Sequence, residues 1–196
     1  MKKHSMNLKK YILHLKGWIP KNWAAKTIEE LEEADIWERH EYSNGRTYKK
    51  ESMNKEKELD VTLNDGTLTY RNELYHLVWK SLEKYILTDK IGGENFQSWA
   101  GFSRIRFNRY KKNQIMSKHC DLIHSLFPGK PKGVPILSIV AALNDNYKGG
   151  EFIMFDDYQI KIKTGDVLIF PSTFLYPHLV KPVTKGTRYS FVSWCF

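Results

Sequence analysis

After the paired glycines Gly92-Gly93 the apolar residues stop recurring at three and four; they fall two apart or into short runs bounded by Gly, Pro, Asn and Asp. That change of period constrains the fold more than any other feature, because successive side chains on a strand alternate between faces. Seven segments read as short strands: Ser103 to Tyr110, Pro135 to Leu143, Glu151 to Phe155, Gln159 to Ile162, Asp166 to Phe170, His178 to Val180 and Arg188 to Trp194. Strands of this length, separated by turn residues, predict a closed or double-sheet β architecture. Ahead of them, between Asp65-Gly66 and Gly92-Gly93, Tyr70, Leu74, Leu77, Val78, Leu82, Tyr85 and Ile86 mark one face of an amphipathic helix. The pattern predicts a mainly β protein with flanking α, the long helix packed on one outer face.

With 196 residues, 41% of them hydrophobic, the chain can bury one sizeable core, so residues 1–196 are expected to form a single domain. Residues 1–21 carry six lysines and no acid and read as a basic arm docked on its own domain. Thr27 followed by Glu30 fits a capping box, which predicts a short helix from there to about Trp37. Residues 38–59 hold Ser43-Asn44-Gly45, many charges and little apolar periodicity, the composition of a long mobile loop that could close over a substrate. Residues 102–196 carry the β core.

Composition removes several classes of function. Two cysteines, Cys120 and Cys195, cannot build the staple framework of a small secreted domain, and neither lies in a Cys-x-x-Cys zinc pattern. The longest apolar stretch, Val134 to Leu143, falls far short of the roughly 20 residues that a membrane-spanning helix needs. The run Tyr11 to Leu15 is too short for the apolar region of a signal peptide, so the expectation is a cytoplasmic protein without a membrane partner. The net charge of +9 would attract nucleic acid or acidic small molecules without specifying either.

The chemistry centres on His119-Cys120-Asp121. On an extended backbone residues two apart share a face, so His119 and Asp121 point one way and Cys120 the other. His178, opening a short strand near the C-terminus, is the candidate third ligand. Two histidines and a carboxylate on one face of a β scaffold form the facial triad that selects non-haem Fe(II) and leaves positions open. Arg188 follows ten residues after His178, with Ser190 two further on; the turn Lys181 to Gly186 would make the two strands neighbours. An arginine aimed into a β core is rare unless it meets an anion, and the distal carboxylate of 2-oxoglutarate would supply one, with Ser190 adding a hydroxyl. Arg106, Asn108 and Tyr110 share a face and make an unusually polar row for a buried strand.

From about Phe102 to Phe196 the sequence resembles the Fe(II)/2-oxoglutarate-dependent dioxygenases of the prolyl 4-hydroxylase type, in a short form like those of bacteriophages. The resemblance is carried by Arg109-Tyr110, His119-Cys120-Asp121, Leu143-Asn144, Gly149-Gly150-Glu151-Phe152, Gly165 to Pro171, Pro177-His178, Arg188-Tyr189-Ser190 and Trp194. It implies a double-stranded β-helix, or jelly roll, with His119, Asp121 and His178 as iron ligands. It also implies Arg188, Ser190 and Tyr110 on 2-oxoglutarate, and no catalytic residue beyond the metal ligands. Arg106 and Trp194 are candidates for substrate contact. The activity implied is hydroxylation of an unactivated C–H, most simply prolyl 4-hydroxylation of a protein or peptide, with O2 consumed, succinate and CO2 released, and ascorbate as the reductant in vitro. For a phage-encoded chain the location would be the host cytoplasm.

Two other readings compete. One is a 2-oxoglutarate oxygenase acting on a small molecule or a nucleic-acid base, motivated by the positive charge. Against nucleic acid stands Trp194, at the place where the superfamily's nucleic-acid demethylases carry a second arginine. The other is a non-catalytic jelly-roll binding protein, which would leave His119, Asp121, Arg188 and Ser190 buried with nothing to repay their burial.

Overall fold

Pro20, with φ fixed at −55°, stands at the start of the first helix. In a computed structural model, which describes residues 7–43, 50–51, 57–88, 99–121 and 133–196, helix α1 runs Lys21–Ala34 directly after it. Thr27 is therefore not a cap. It lies mid-helix on the buried stripe Ala24, Thr27, Leu31, and no acid occupies the first turn. Nothing between Lys21 and Thr27 breaks a helix, so the helix extends back to the proline. It stops short of Trp37 because Asp35 adopts the left-handed conformation (φ 43°). Helix α2, Arg71–Ile86, buries Leu74, Val78, Leu82 and Tyr85, with Glu73 in its first turn and Lys84 in its last, as the helix dipole favours.

A 3-10 turn at Leu8–Tyr11 precedes β1 (Leu13–Leu15). Short strands β2 (Glu38–Arg39), β3 (Tyr42–Ser43), β4 (Lys50–Glu51) and β5 (Asp60–Thr62) lie between the helices. After α2 come β6 (Arg106–Tyr110), β7 (Met116–His119), β8 (Leu137–Ala142), β9 (Lys148–Gly149), β10 (Phe152–Met154) and β11 (Tyr158–Ile160). The chain ends with β12 (Val167–Pro171), β13 (His178–Val180), β14 (Val183–Lys185) and β15 (Arg188–Cys195). The major sheet is antiparallel in the order β1-β12-β8-β15-β6-β5-β2, and the minor sheet in the order β11-β10-β13-β7. Two-strand pairs β14-β9 and β3-β4 complete the set.

Alternation along the major sheet divides the core in two. Phe107, Ile139, Ala141, Val167, Ile169 and Phe191 turn one way and cluster with Ala24 and Leu31 of α1 and with Leu74, Val78 and Leu82 of α2. Tyr110, Val140, Leu168, Phe170, Val192 and Trp194 turn the other way and cluster with Met116, Phe152, Met154 and Val180 of the minor sheet. The major sheet is thus covered on both faces, which is why every residue of β8 is buried and its sequence reads as one apolar run rather than as an alternation.

Several expectations need correction. The strands of His178 and Arg188 are not neighbours: β13 pairs with β10 and β7 in the minor sheet, whereas β15 lies between β6 and β8 in the major sheet. The segment between them is not one turn, because Val183–Lys185 forms β14 and pairs with β9. The site is therefore built across the space between two sheets. Of the expected mobile loop, residues 44–49 and 52–56 lie outside the described residues. Its ends are built into the fold, since Glu38 and Arg39 pair with β5, and His40, Glu58 and Leu59 are buried.

The turn at Gly165-Asp166 does more than reverse the chain. The Asp166 carboxylate bonds to His14 Nε2 (2.8 Å) and accepts from the N–H groups of Gly17 (2.8 Å) and Lys163 (3.0 Å), holding β1 against β12. Gly165, at φ 86°, lets the Ile19 carbonyl approach where a Cβ would stand. The arm from residue 7 onward packs on its own domain in this way; residues 1–6 lie outside the described residues.

Candidate metal and cosubstrate site

His119 and His178 face each other because β7 and β13 pair in register at these two residues. Their ring centroids are 4.4 Å apart. Asp121, two residues after His119, brings Oδ1 to 3.3 Å from His119 Nε2 and Oδ2 to 3.8 Å from His178 Nε2. One ligand atom from each of the three lies within 4.8 Å of the others, the only such group among the described residues. Behind the rings, His119 Nδ1 lies 2.8 Å from the Ser117 carbonyl and His178 Nδ1 lies 3.0 Å from the Tyr176 carbonyl. A carbonyl can only accept, so both Nδ1 atoms donate to it, and both Nε2 atoms are left facing Asp121, where a metal would bind.

Surroundings fix the charge states. Burial and the nearby His119 push the His178 imidazole down to about 4, so it is neutral near pH 7. Burial opposes ionisation of Asp121, but His178 and hydrogen bonds from His119 and Ser138 outweigh it and hold the carboxyl well below the usual range. Phe152 stacks on His178 at 5.4 Å and Phe170 meets it edge-on at 5.2 Å, which limits the ring to one orientation.

The opposite wall comes from the major sheet. Register places Arg188 beside Tyr110, Ser190 beside Asn108 and Val192 beside Arg106, so the polar row of β6 and the Arg188-x-Ser190 row of β15 share one inward face. Arg188 is 2% exposed and donates to Ser190 Oγ at 3.0 Å. Its guanidinium carbon sits 4.7 Å over the Tyr110 ring, and its Nε has no partner. No carboxylate among the described residues pairs with it. Gly150 makes room: at φ 65°, a Cβ there would press to 3.2 Å from Arg188 Cδ. His119, Asp121, His178, Arg188, Ser190, Tyr110, Arg106 and Trp194 all line one cavity. Arg109, adjacent to Tyr110, points away from it and pairs with Asp60 and Glu32 while stacking on Trp37 at 4.4 Å.

Sequence reasoning missed the support behind His119. Glu58, fully buried, accepts a hydrogen bond from Ser117 Oγ, and Tyr42 donates to the Ser117 carbonyl (3.3 Å) while its ring meets His119 at 5.5 Å. Both residues sit in the segment whose composition reads as loop, and no local pattern marks a buried glutamate. Asn108, whose Oδ1 accepts from Arg106 Nε at 3.2 Å, was visible only as part of the polar row.

Residues 105–196 match the family model described as 2OG-Fe(II) oxygenase superfamily. Among more particular likenesses, a PKHD-type hydroxylase of Xylella fastidiosa (strain M12) is 39% identical over 99 residues, 45% of this chain and 42% of that one. One from Delftia acidovorans is 35% identical over 95 residues, 45% of this chain and 41% of the other. The chain thus spans less than half the length of these curated relatives. Solved structures extend the likeness. A prolyl hydroxylase of Trichoplax adhaerens, in complex with a peptide fragment of the hypoxia-inducible factor oxygen degradation domain, matches with TM-score 0.70 at 15% identity, covering 95% of this chain and 84% of that one. A Pseudomonas putida prolyl-4-hydroxylase matches with TM-score 0.67 at 17% identity, covering 94% and 91%. At such identities these structures establish the fold alone, one that this chain shares with them.

The donor set suits the cofactors of that class. Two imidazoles and a carboxylate suit Fe(II), and a buried guanidinium with an unpartnered Nε suits a carboxylate of 2-oxoglutarate.

Proposed function

We propose that this protein is an Fe(II)- and 2-oxoglutarate-dependent dioxygenase that hydroxylates an unactivated C–H, most simply C4 of a prolyl residue in a protein or peptide. The observation that carries the reading is the pairing, in one cavity, of the His119/Asp121/His178 group with the carboxylate-free Arg188. His119, Asp121 and His178 would hold the ion. The distal carboxylate of 2-oxoglutarate would lie on Arg188 and Ser190, with Tyr110 beside it. Loaded in this way, the metal with O2 and 2-oxoglutarate supplies oxidation of a C–H bond coupled to release of succinate and CO2. The chain's own part is placement. The Ser117 and Tyr176 carbonyls keep each Nε2 free, Phe152, Val140, Val180 and Val192 keep water from the walls, and Arg106 and Trp194 contact the substrate.

The prolyl assignment is supported by the PKHD-type relatives and by prolyl hydroxylases among the solved structures of the same fold. In this reading the two large sheets are the walls of a double-stranded β-helix, residues 1–196 are one domain, and the long helix covers the outer face of the major sheet. Among the described residues no helix is long and apolar enough to cross a membrane. Both cysteines are free, as a reducing, cytoplasmic compartment would keep them. The test is incubation with Fe(II), ascorbate, 2-oxoglutarate and a library of proline-containing peptides. Succinate release matched by a gain of one oxygen atom on proline is expected. A gain on another residue, or only on small molecules, would overturn the prolyl assignment.

A further inference from the structure

Two guanidiniums line the cavity, and the proposed cosubstrate uses only one. Arg106 projects from β6 into the same space, and its partners are neutral: Asn108 Oδ1 accepts from Nε at 3.2 Å, and the guanidinium carbon lies 5.0 Å over the Trp194 ring. Among the described residues no carboxylate forms an ion pair with it, in contrast to Arg39, Arg71, Arg104 and Arg109. Burial works against its charge, with Asp121 only partly compensating. The site is therefore over-supplied with positive charge. A divalent ion and two guanidiniums face Asp121 and the two carboxylates of 2-oxoglutarate, and one positive charge is left over. A half-buried cation without a counter-charge is unfavourable, and the arriving substrate is what remains to provide one.

The position of Arg106 says where that charge enters. Of the residues lining the site cavity it is the one that also lines an outer groove, whose walls carry Arg39, His40 and Arg104 together with Glu38 and Glu41. It therefore stands at the passage between them. Stacking on Trp194 and the bond to Asn108 fix the plane of the guanidinium and leave its two NH2 groups for a bidentate acceptor. We propose that Arg106 is a specificity-determining residue that binds a carboxylate of the substrate close to the C–H that is oxidised. This inference rests on the oxygenase reading above. The carboxylate would come from an acidic side chain next to the target residue or from a free chain terminus.

The experiment uses the full chain loaded with Mn(II) and N-oxalylglycine, an unreactive analogue of 2-oxoglutarate, and calorimetric titration with three blocked-N-terminus probes. One has glutamate on both sides of a proline and an amidated end, the second replaces glutamate with glutamine, and the third has neutral flanks and ends on proline with its carboxylate free. Wild type is expected to bind the glutamate or the free-carboxylate probe at least tenfold more tightly than the glutamine probe, and which of the two it prefers identifies the source. In Arg106→Gln the preference should fall to about one, and Arg106→Lys should restore part of it. The ratio is taken within each protein, so a general loss of affinity in a variant does not imitate the result. Equal binding of all three probes by wild type, no binding of either carboxylate probe, or a preference that survives Arg106→Gln would overturn the proposal. Failure of wild type to take up Mn(II) and N-oxalylglycine would instead overturn the oxygenase reading, and it is read before any peptide is added.

Discussion

Arg188 is a charge with almost no water and no carboxylate among the described residues, and its substitution separates charge from shape. Arg188→Lys keeps the charge but loses the planar fork, so the concentration of 2-oxoglutarate giving half-maximal succinate release should rise by about tenfold or more, in line with the roughly 1.5 to 3 kcal/mol of a charged hydrogen bond. Ser190→Ala removes one neutral contact, and its rise should be smaller. Activity of Arg188→Met equal to wild type at limiting 2-oxoglutarate would contradict the assignment. The residues of this site were the most legible part of the chain. His119-x-Asp121 and Arg188-x-Ser190 each depend only on two-residue alternation, which any strand enforces. Glu58 and Tyr42 were illegible for the opposite reason: they reach the back of His119 through tertiary packing that no local period records.

At the scale of elements, the docked arm and α1 give two tests. Asp166 is held below the ordinary carboxylate range because, although burial opposes its charge, the Lys163 and Gly17 amides and His14 stabilise it. A depressed folded value means that its contribution is fully present above the unfolded carboxyl pKa of about 3.9 and is lost as pH falls through the lower folded value. Hydrogen exchange should show Leu13–Leu15 protected at neutral pH and released on acidification before the central strands β8 and β15. Asp166→Ala should release them at neutral pH, at a cost of about 1 to 3 kcal/mol. Thr27 buries a hydroxyl without a hydrogen-bond partner on α1, so Thr27→Val should stabilise the protein by about 1 kcal/mol, read as a higher midpoint in thermal unfolding. Element boundaries were less legible than element types. The capping pattern at Thr27 and Glu30 arises equally from an interior stripe, and β7 was hidden because Met116 to His119 alternates only over a strand too short to register as a period.

At the scale of the molecule, the sequence alone predicted a β-rich half but not how its strands pair. Neighbours in sequence such as β13, β14 and β15 belong to three different sheets, a consequence of long-range pairing that local turn residues do not encode. That arrangement lets the minor sheet present His119 and His178 while the major sheet presents Arg188 and Ser190 across one cavity. The central claim, that the two walls together hold Fe(II) and 2-oxoglutarate, is tested most directly by anaerobic calorimetry. Wild type should bind one Fe(II), and should bind 2-oxoglutarate tightly only when Fe(II) is present. Asp121→Ala should lose both affinities, and Arg188→Met should lose only the second. Affinity for 2-oxoglutarate that is indifferent to the metal, or unchanged metal binding in Asp121→Ala, would contradict the account.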